Sequence, residues 1–92
     1  MTPADIVATL GAWRHRHEVD HDGESWWATH GRWEVYAVRL DTGIPRWEWS
    51  VGQYRHDGES IGRVDRGESI DAEAAARDLA RAVDRIIDRV RG

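Results

Sequence analysis

Cysteine, lysine, phenylalanine and asparagine are all absent from the 92 residues, and proline occurs only twice. Without cysteine there is no disulfide and no thiolate chemistry, which fits a reducing compartment. Without lysine there is no phosphate-cradling glycine loop of the P-loop type. No apolar run approaches the ~20 residues of a membrane span. The opening Met1-Thr2-Pro3-Ala4-Asp5 has neither the basic region nor the apolar block of a signal peptide, so the expected location is cytoplasmic. Excess positive charge is missing as well: 17 acidic residues face 13 basic ones, all arginine, for a net charge of −4. Phosphate backbone selects a basic stripe, so this balance argues against nucleic acid as partner. The acids fall in two groups, Glu18, Asp20, Asp22 and Glu24, then Asp57, Glu59, Asp65, Glu68, Asp71 and Glu73.

What the chain does have is tryptophan. Five of its six tryptophans, Trp26, Trp27, Trp33, Trp47 and Trp49, fall within 24 residues that alternate apolar and polar side chains between glycine-containing turns. Indoles bring large, rigid apolar area, which lets a short chain build a core from few residues. The alternation predicts strands at 25–29, 32–40, 46–55 and 60–65. His30-Gly31 and Asp57-Gly58 are read as tight turns, and 41–45 as a loop. Those turns pair Ala28 with Trp33, Trp26 with Val35, Arg39 with Trp47, Ala37 with Trp49, and Val51 with both Val35 and Val64. One sheet face then carries Trp26, Ala28, Trp33, Val35, Ala37, Trp47, Trp49, Val51 and Val64, and is the expected core. The other carries Trp27, Tyr36, Val38, Leu40, Tyr54 and Ile61 among Glu34, Glu48 and Ser50.

A helix is predicted at each end of this meander. Thr2-Pro3-Ala4-Asp5 combines a capping threonine, a first-turn proline and an acid, and Ile6, Leu10 and Trp13 follow at helical spacing, predicting a helix over 3–16 and a polar loop over 17–24. From Asp71 onward, Ala72, Ala75, Ala76, Leu79, Ala80, Val83, Ile86, Ile87 and Val90 make an unbroken apolar stripe. The expectation is a single α+β domain over 1–92: an antiparallel three- or four-stranded meander flanked by an N-terminal and a C-terminal helix. Two arrangements are open. Either both helices cover the first face and leave the second as a sticky surface, or the N-terminal helix packs on the second.

Chemical motifs are sparse. His15, His17 and His21, interleaved with Glu18, Asp20 and Asp22, have the residue types of a metal site, but they read as a solvated segment beside Arg14 and Arg16. His-Asp-Gly-Glu-Ser occurs at 21–25 and 56–60; the flanks differ, so it reads as recurring turn chemistry. No glycine-flanked nucleophile elbow is present. The expectation is no catalytic residue, no metal and no cofactor. The candidate protein-binding residues are Trp27, Tyr36, Val38, Leu40, Tyr54 and Ile61, because exposed apolar patches mark partner or self-association sites.

From Tyr36 to Val83 the order of a strand, Gly43-Ile44-Pro45, an aromatic-rich strand, a short strand and Ala74-Ala75-Ala76-Arg77-Asp78-Leu79-Ala80 resembles the double-stranded-RNA-binding domain. That family contacts RNA through a lysine cluster opening the last helix. Here the matching place reads Glu68-Ser69-Ile70-Asp71-Ala72-Glu73, so the resemblance implies topology alone. Lysine, asparagine and phenylalanine have AT-rich codons, and their joint absence points to a GC-rich genome. With its tryptophan-bearing strands before an alanine-rich helix, the chain also resembles the small Trp-rich accessory proteins of phages of GC-rich actinobacteria. That resemblance implies a non-enzymatic protein in the host cytoplasm that binds a host or phage protein. A homodimer through the second sheet face is a further form of the same contact. The alternatives are a nucleic-acid-binding module built on Arg14, Arg16, Arg32, Arg39, Arg46 and Arg55, and an acidic nucleic-acid mimic presenting both acid clusters as one surface.

Overall fold

Thr2 closes a capping box with Asp5: the Thr2 N–H donates to Asp5 Oδ2 at 2.7 Å and the Asp5 N–H to Thr2 Oγ1 at 3.4 Å. With proline at the first helical position, this starts α1 (Pro3–Ala8) in a computed structural model that describes residues 1–55 and 61–91. There follow β1 (Arg14–Asp20), β2 (Gly23–His30), β3 (Trp33–Leu40), β4 (Arg46–Tyr54), β5 (Ile61–Ser69) and α2 (Ala72–Arg91). The strands form one antiparallel sheet in the order β1-β2-β3-β4-β5. The α+β meander with a helix at each end is as the sequence implied. The Asp57-Gly58 turn lies outside the described residues.

The first helix is shorter than predicted. The helix closes at Thr9, whose N–H reaches back to Asp5 and Ile6, the Leu10 N–H adds a final bond to the Val7 carbonyl, and Gly11 sits in the turn that follows. Ile6, Val7 and Leu10 are buried as the helical spacing required, while Trp13 is half-buried, its ring tilted against His30 with centroids 5.6 Å apart. Residues 14–20, expected as helix end and loop, instead form β1 and pair along their whole length with β2, giving the sheet five strands. The turn is closed by Asp20, whose Oδ1 accepts from the N–H groups of Asp22 and Gly23, an Asx-type bond that aspartate makes readily. Every β1 residue is exposed. It is held by backbone pairing with β2 together with side-chain contacts of His15, Arg16 and His17, and its charges suit a sheet edge.

The β3–β4 register is the predicted one, with Arg39 opposite Trp47, Ala37 opposite Trp49 and Val35 opposite Val51. Between β2 and β3 the turn centres on Gly31-Arg32, with Gly31 at φ +58°, so Ala28 faces Val35 and Trp26 faces Ala37. This slip of two residues preserves both faces, because side chains alternate with period two. The β4–β5 pairing differs more. A bulge between Val51 and Gly52 puts Asp65 opposite Val51. Val64, expected in the core, is 49% exposed.

Both helices pack on the first face. Ile6, Val7 and Leu10, with Ala75, Ala76, Leu79, Ala82, Val83 and Ile86 of α2, share one buried cluster with Ala28, Trp33, Val35, Ala37, Trp47, Trp49 and Val51. Alanine dominates where α2 crosses the indoles, so the helix backbone approaches closely. The β5 backbone does likewise at Gly67: a Cβ there would lie 2.7 Å from the Trp49 ring. Asp65 points to the same side and meets Arg85 of α2 at 3.1 Å.

Candidate interaction surface

Strand parity decides which side chains face away from the helices. On β2, β3 and β4 these are Ser25, Trp27 and Thr29, then Glu34, Tyr36, Val38 and Leu40, then Arg46, Glu48, Ser50 and Tyr54. On the outer strands they are Arg14, Arg16, Glu18 and Asp20 of β1, and Arg63, Arg66 and Glu68 of β5. None of these belongs to the helix-side core cluster. Among the described residues the sheet is thus clad by helices on one side only.

The sequence-predicted binding residues converge here. Trp27 and Tyr36 are cross-strand partners with ring centroids 5.1 Å apart. Val38 is on the next ladder, Leu40 at the far end beside Arg46, and Ile61 at the register position opposite Tyr54. The Tyr54 hydroxyl donates to Glu34 at 2.6 Å, and the carboxylate raises its pKa above the ordinary tyrosine value. The patch is less bare than the sequence suggested. Trp27, Tyr36, Leu40 and Tyr54 are half-buried and Val38 is 7% exposed. The Arg16 guanidinium lies 4.0 Å from the Trp27 ring centroid, a cation–π contact that shields the indole. Over β3, β4 and β5 a groove of about 570 Å³ is lined by Tyr36, Val38, Glu48, Ser50, Arg63, Arg66 and Glu68, together with Trp49 and Gly67.

Sequence reasoning missed Arg14, Arg16, Glu18 and Asp20 as members of this face, because β1 was not read as a strand. The available signal was the strict alternation of Arg14-His15-Arg16-His17 before the Asp20 turn.

The histidines go to the other side or to the turn. His15 Nε2 donates to the Leu10 carbonyl at 2.6 Å. His17 stacks on Trp26, which stacks on Trp47, and its Nε2 meets Glu24. Glu24 also pairs with Arg39 at 3.2 Å, and Arg39 with Asp41, contacts that raise the Arg39 pKa. His21 is in the β1–β2 turn. No group of three ligating side chains converges among the described residues. The acid clusters separate: Glu18 and Asp20 are on β1 and Glu68 on β5, opposite edges of the sheet. Asp71, where the double-stranded-RNA-binding resemblance places a lysine cluster, spends its carboxylate capping α2 through the N–H groups of Glu73 and Ala74. The arginines considered for a basic stripe divide between faces, Arg14 and Arg16 on one and Arg39 on the other.

No protein family, curated protein or solved structure matches the chain.

Proposed function

We propose that this is a small, non-enzymatic binding protein whose contact surface is the unclad sheet face around Trp27, Tyr36, Leu40 and Tyr54. The observation that carries the proposal is the one-sided packing: α1 and α2 share a single core with one face, and no described helix lies over the two tyrosines and the indole of the other. Flat faces with half-buried aromatic residues and a charged fringe match the anatomy of protein interfaces, which are aromatic-rich at the centre and polar at the rim. The groove supports binding over catalysis. Its lining includes Ser50 and Tyr36, and no described histidine lies on that face to activate either hydroxyl. The resemblance to phage accessory proteins favours a host or phage protein as the thing bound, in the cytoplasm.

The test is a pair of variants, Trp27→Ser and Tyr36→Ser, compared with the unaltered chain in affinity capture and thermal melting. Both are expected to melt cooperatively and to lose the protein captured by the unaltered chain. Retained capture by both variants would overturn the proposal, as would loss of the fold from either substitution, since that would make the face a second core.

A further inference from the structure

Charge on the outer strands of the unclad face is polarised along the strand direction, while Glu34 of β3 and Arg46 of β4 run against it. One ladder of paired residues crosses the sheet as Arg16, Trp27, Tyr36, Ser50 and Arg66. The next crosses as Glu18, Ser25, Val38, Glu48 and Glu68. Both outer strands therefore contribute arginine to one ladder and carboxylate to its neighbour. On β1 the polarity extends outward to Arg14 at one end and Asp20 at the other. The centre offers half-buried Trp27 and Tyr36 beside buried Val38. Arg16, Glu18, Arg66 and Glu68 are all exposed.

Resting on the reading of this face as the contact surface, we propose that its occupant is a second copy of this chain, docked face to face with its strands running antiparallel. A two-fold axis lying in the interface across the strands, between the two ladders, keeps β1 over β1 and β5 over β5 and inverts the strand direction. Arg16 then meets Glu18 of the second copy, Arg66 meets Glu68, and Arg14 meets Asp20. Tyr36 meets Val38 at the centre. Each contact occurs twice, as an isologous interface demands. An axis along the strands would set arginine ladder on arginine ladder and carboxylate ladder on carboxylate ladder, and like charges in register are strongly unfavourable. Aligned packing of two sheets at about −30° is an ordinary arrangement for such faces.

The area is sufficient. Five strands at ~4.8 Å spacing, with four side-chain rows ~6.8 Å apart along them, present a face of roughly 24 by 27 Å. Two copies would bury on the order of 1,300 Å², inside the ~1,200–2,000 Å² span of specific interfaces. Paired charges at the rim set orientation, and the aromatic centre supplies the apolar contact.

The experiment is light scattering and sedimentation on four forms of the chain across a dilution series. The unaltered chain should be a dimer that weakens as salt rises. Arg16→Glu with Arg66→Glu makes both ladders acidic; Glu18→Arg with Glu68→Arg makes both basic. Each form alone should lose at least about tenfold in self-affinity, and mixing them should give a one-to-one heterodimer. That rescue shows that both forms fold. The form carrying all four changes inverts the polarity; it should pair with itself and at least about tenfold more weakly with the unaltered chain. A monomer at every concentration overturns self-pairing and leaves the open-face reading to its own capture experiment. A dimer indifferent to the charge reversals overturns pairing through this face. Equal pairing of the polarity-inverted form with itself and with the unaltered chain overturns the antiparallel arrangement.

Discussion

Gly67→Ala tests the seating of Trp49 on the sheet. Gly67 faces Trp49 across β4 and β5, and a methyl carbon at position 67 would lie 2.7 Å from one ring carbon and 2.8 Å from the ring nitrogen. Trp49 is 5% exposed, so displacing the indole disturbs packed neighbours. Forcing extra volume into a packed core costs about 1–3 kcal/mol. Against this, alanine lowers the entropy of the unfolded chain, worth ~0.4–1 kcal/mol where the backbone tolerates it. The balance is a net loss of roughly 1–2 kcal/mol. At about 4–8 °C per kcal/mol for a domain of this size, melting should fall by roughly 5–15 °C. Gly62→Ala is the internal control. It lies on the same strand, and among the described residues the nearest atom to its methyl would be the Gln53 carbonyl oxygen at 3.7 Å. It should therefore be neutral or slightly stabilising. Differential scanning calorimetry reads both melting points, and near-ultraviolet circular dichroism reads the indole environment. If Gly67→Ala melts at or above the unaltered chain, the ring does not rest on the β5 backbone and the account of core thickness is wrong.

Gly23→Ala should be more damaging, because its Cβ would fall 1.9 Å from the Arg39 carbonyl oxygen, a backbone atom that cannot rotate away; a loss of about 3 kcal/mol in urea unfolding is expected, and a loss below that of Gly67→Ala would refute the close approach. The Asp5 carboxylate accepts from the Thr2 backbone and side chain, which lowers its pKa below 3.8. A depressed folded-state value means the stabilisation is present above that pH and is lost as pH falls through the lowered pKa. Asp5→Ala should therefore lower melting near neutrality and flatten the acid limb below about pH 4; an unchanged acid limb would show that the capping box does not form.

The parts of this fold that could be read in advance are those where the sequence leaves no competing arrangement. The stripe from Ala72 to Val90 has one apolar side, and α2 lies on the core along it. The β3–β4 ladder came out in register because indoles at 47 and 49 and aliphatic residues at 35 and 51 all demand the same face. β1 was illegible for a physical reason. Arg14-His15-Arg16-His17-Glu18-Val19-Asp20 buries nothing, so it lacks the half-apolar alternation by which strands are recognised, and edge strands characteristically carry charge. The Val64 bulge was equally invisible, since only the paired backbone reveals that one residue has dropped out of the ladder. The surface residues Trp27, Tyr36, Val38, Leu40 and Tyr54 were gathered by parity alone, which survived the two-residue slip at Gly31. How far they are shielded was not, because Arg16 comes from the unread strand.

Each strand of the sheet pairs only with its sequence neighbour, so the meander can grow one hairpin at a time with short loop closures, a topology that favours rapid folding. The clasp is of a different kind: α1, first in the chain, packs against α2, which follows the last strand. Leu79 and Ile86 therefore close the same buried cluster that Val7 joins from the opposite terminus. α1 also touches β2 and β3, so during synthesis its apolar side can dock on those strands before α2 completes the cover. Ending the chain before Leu79 would remove Leu79, Ala82, Val83 and Ile86 from that cover and open the core face to water.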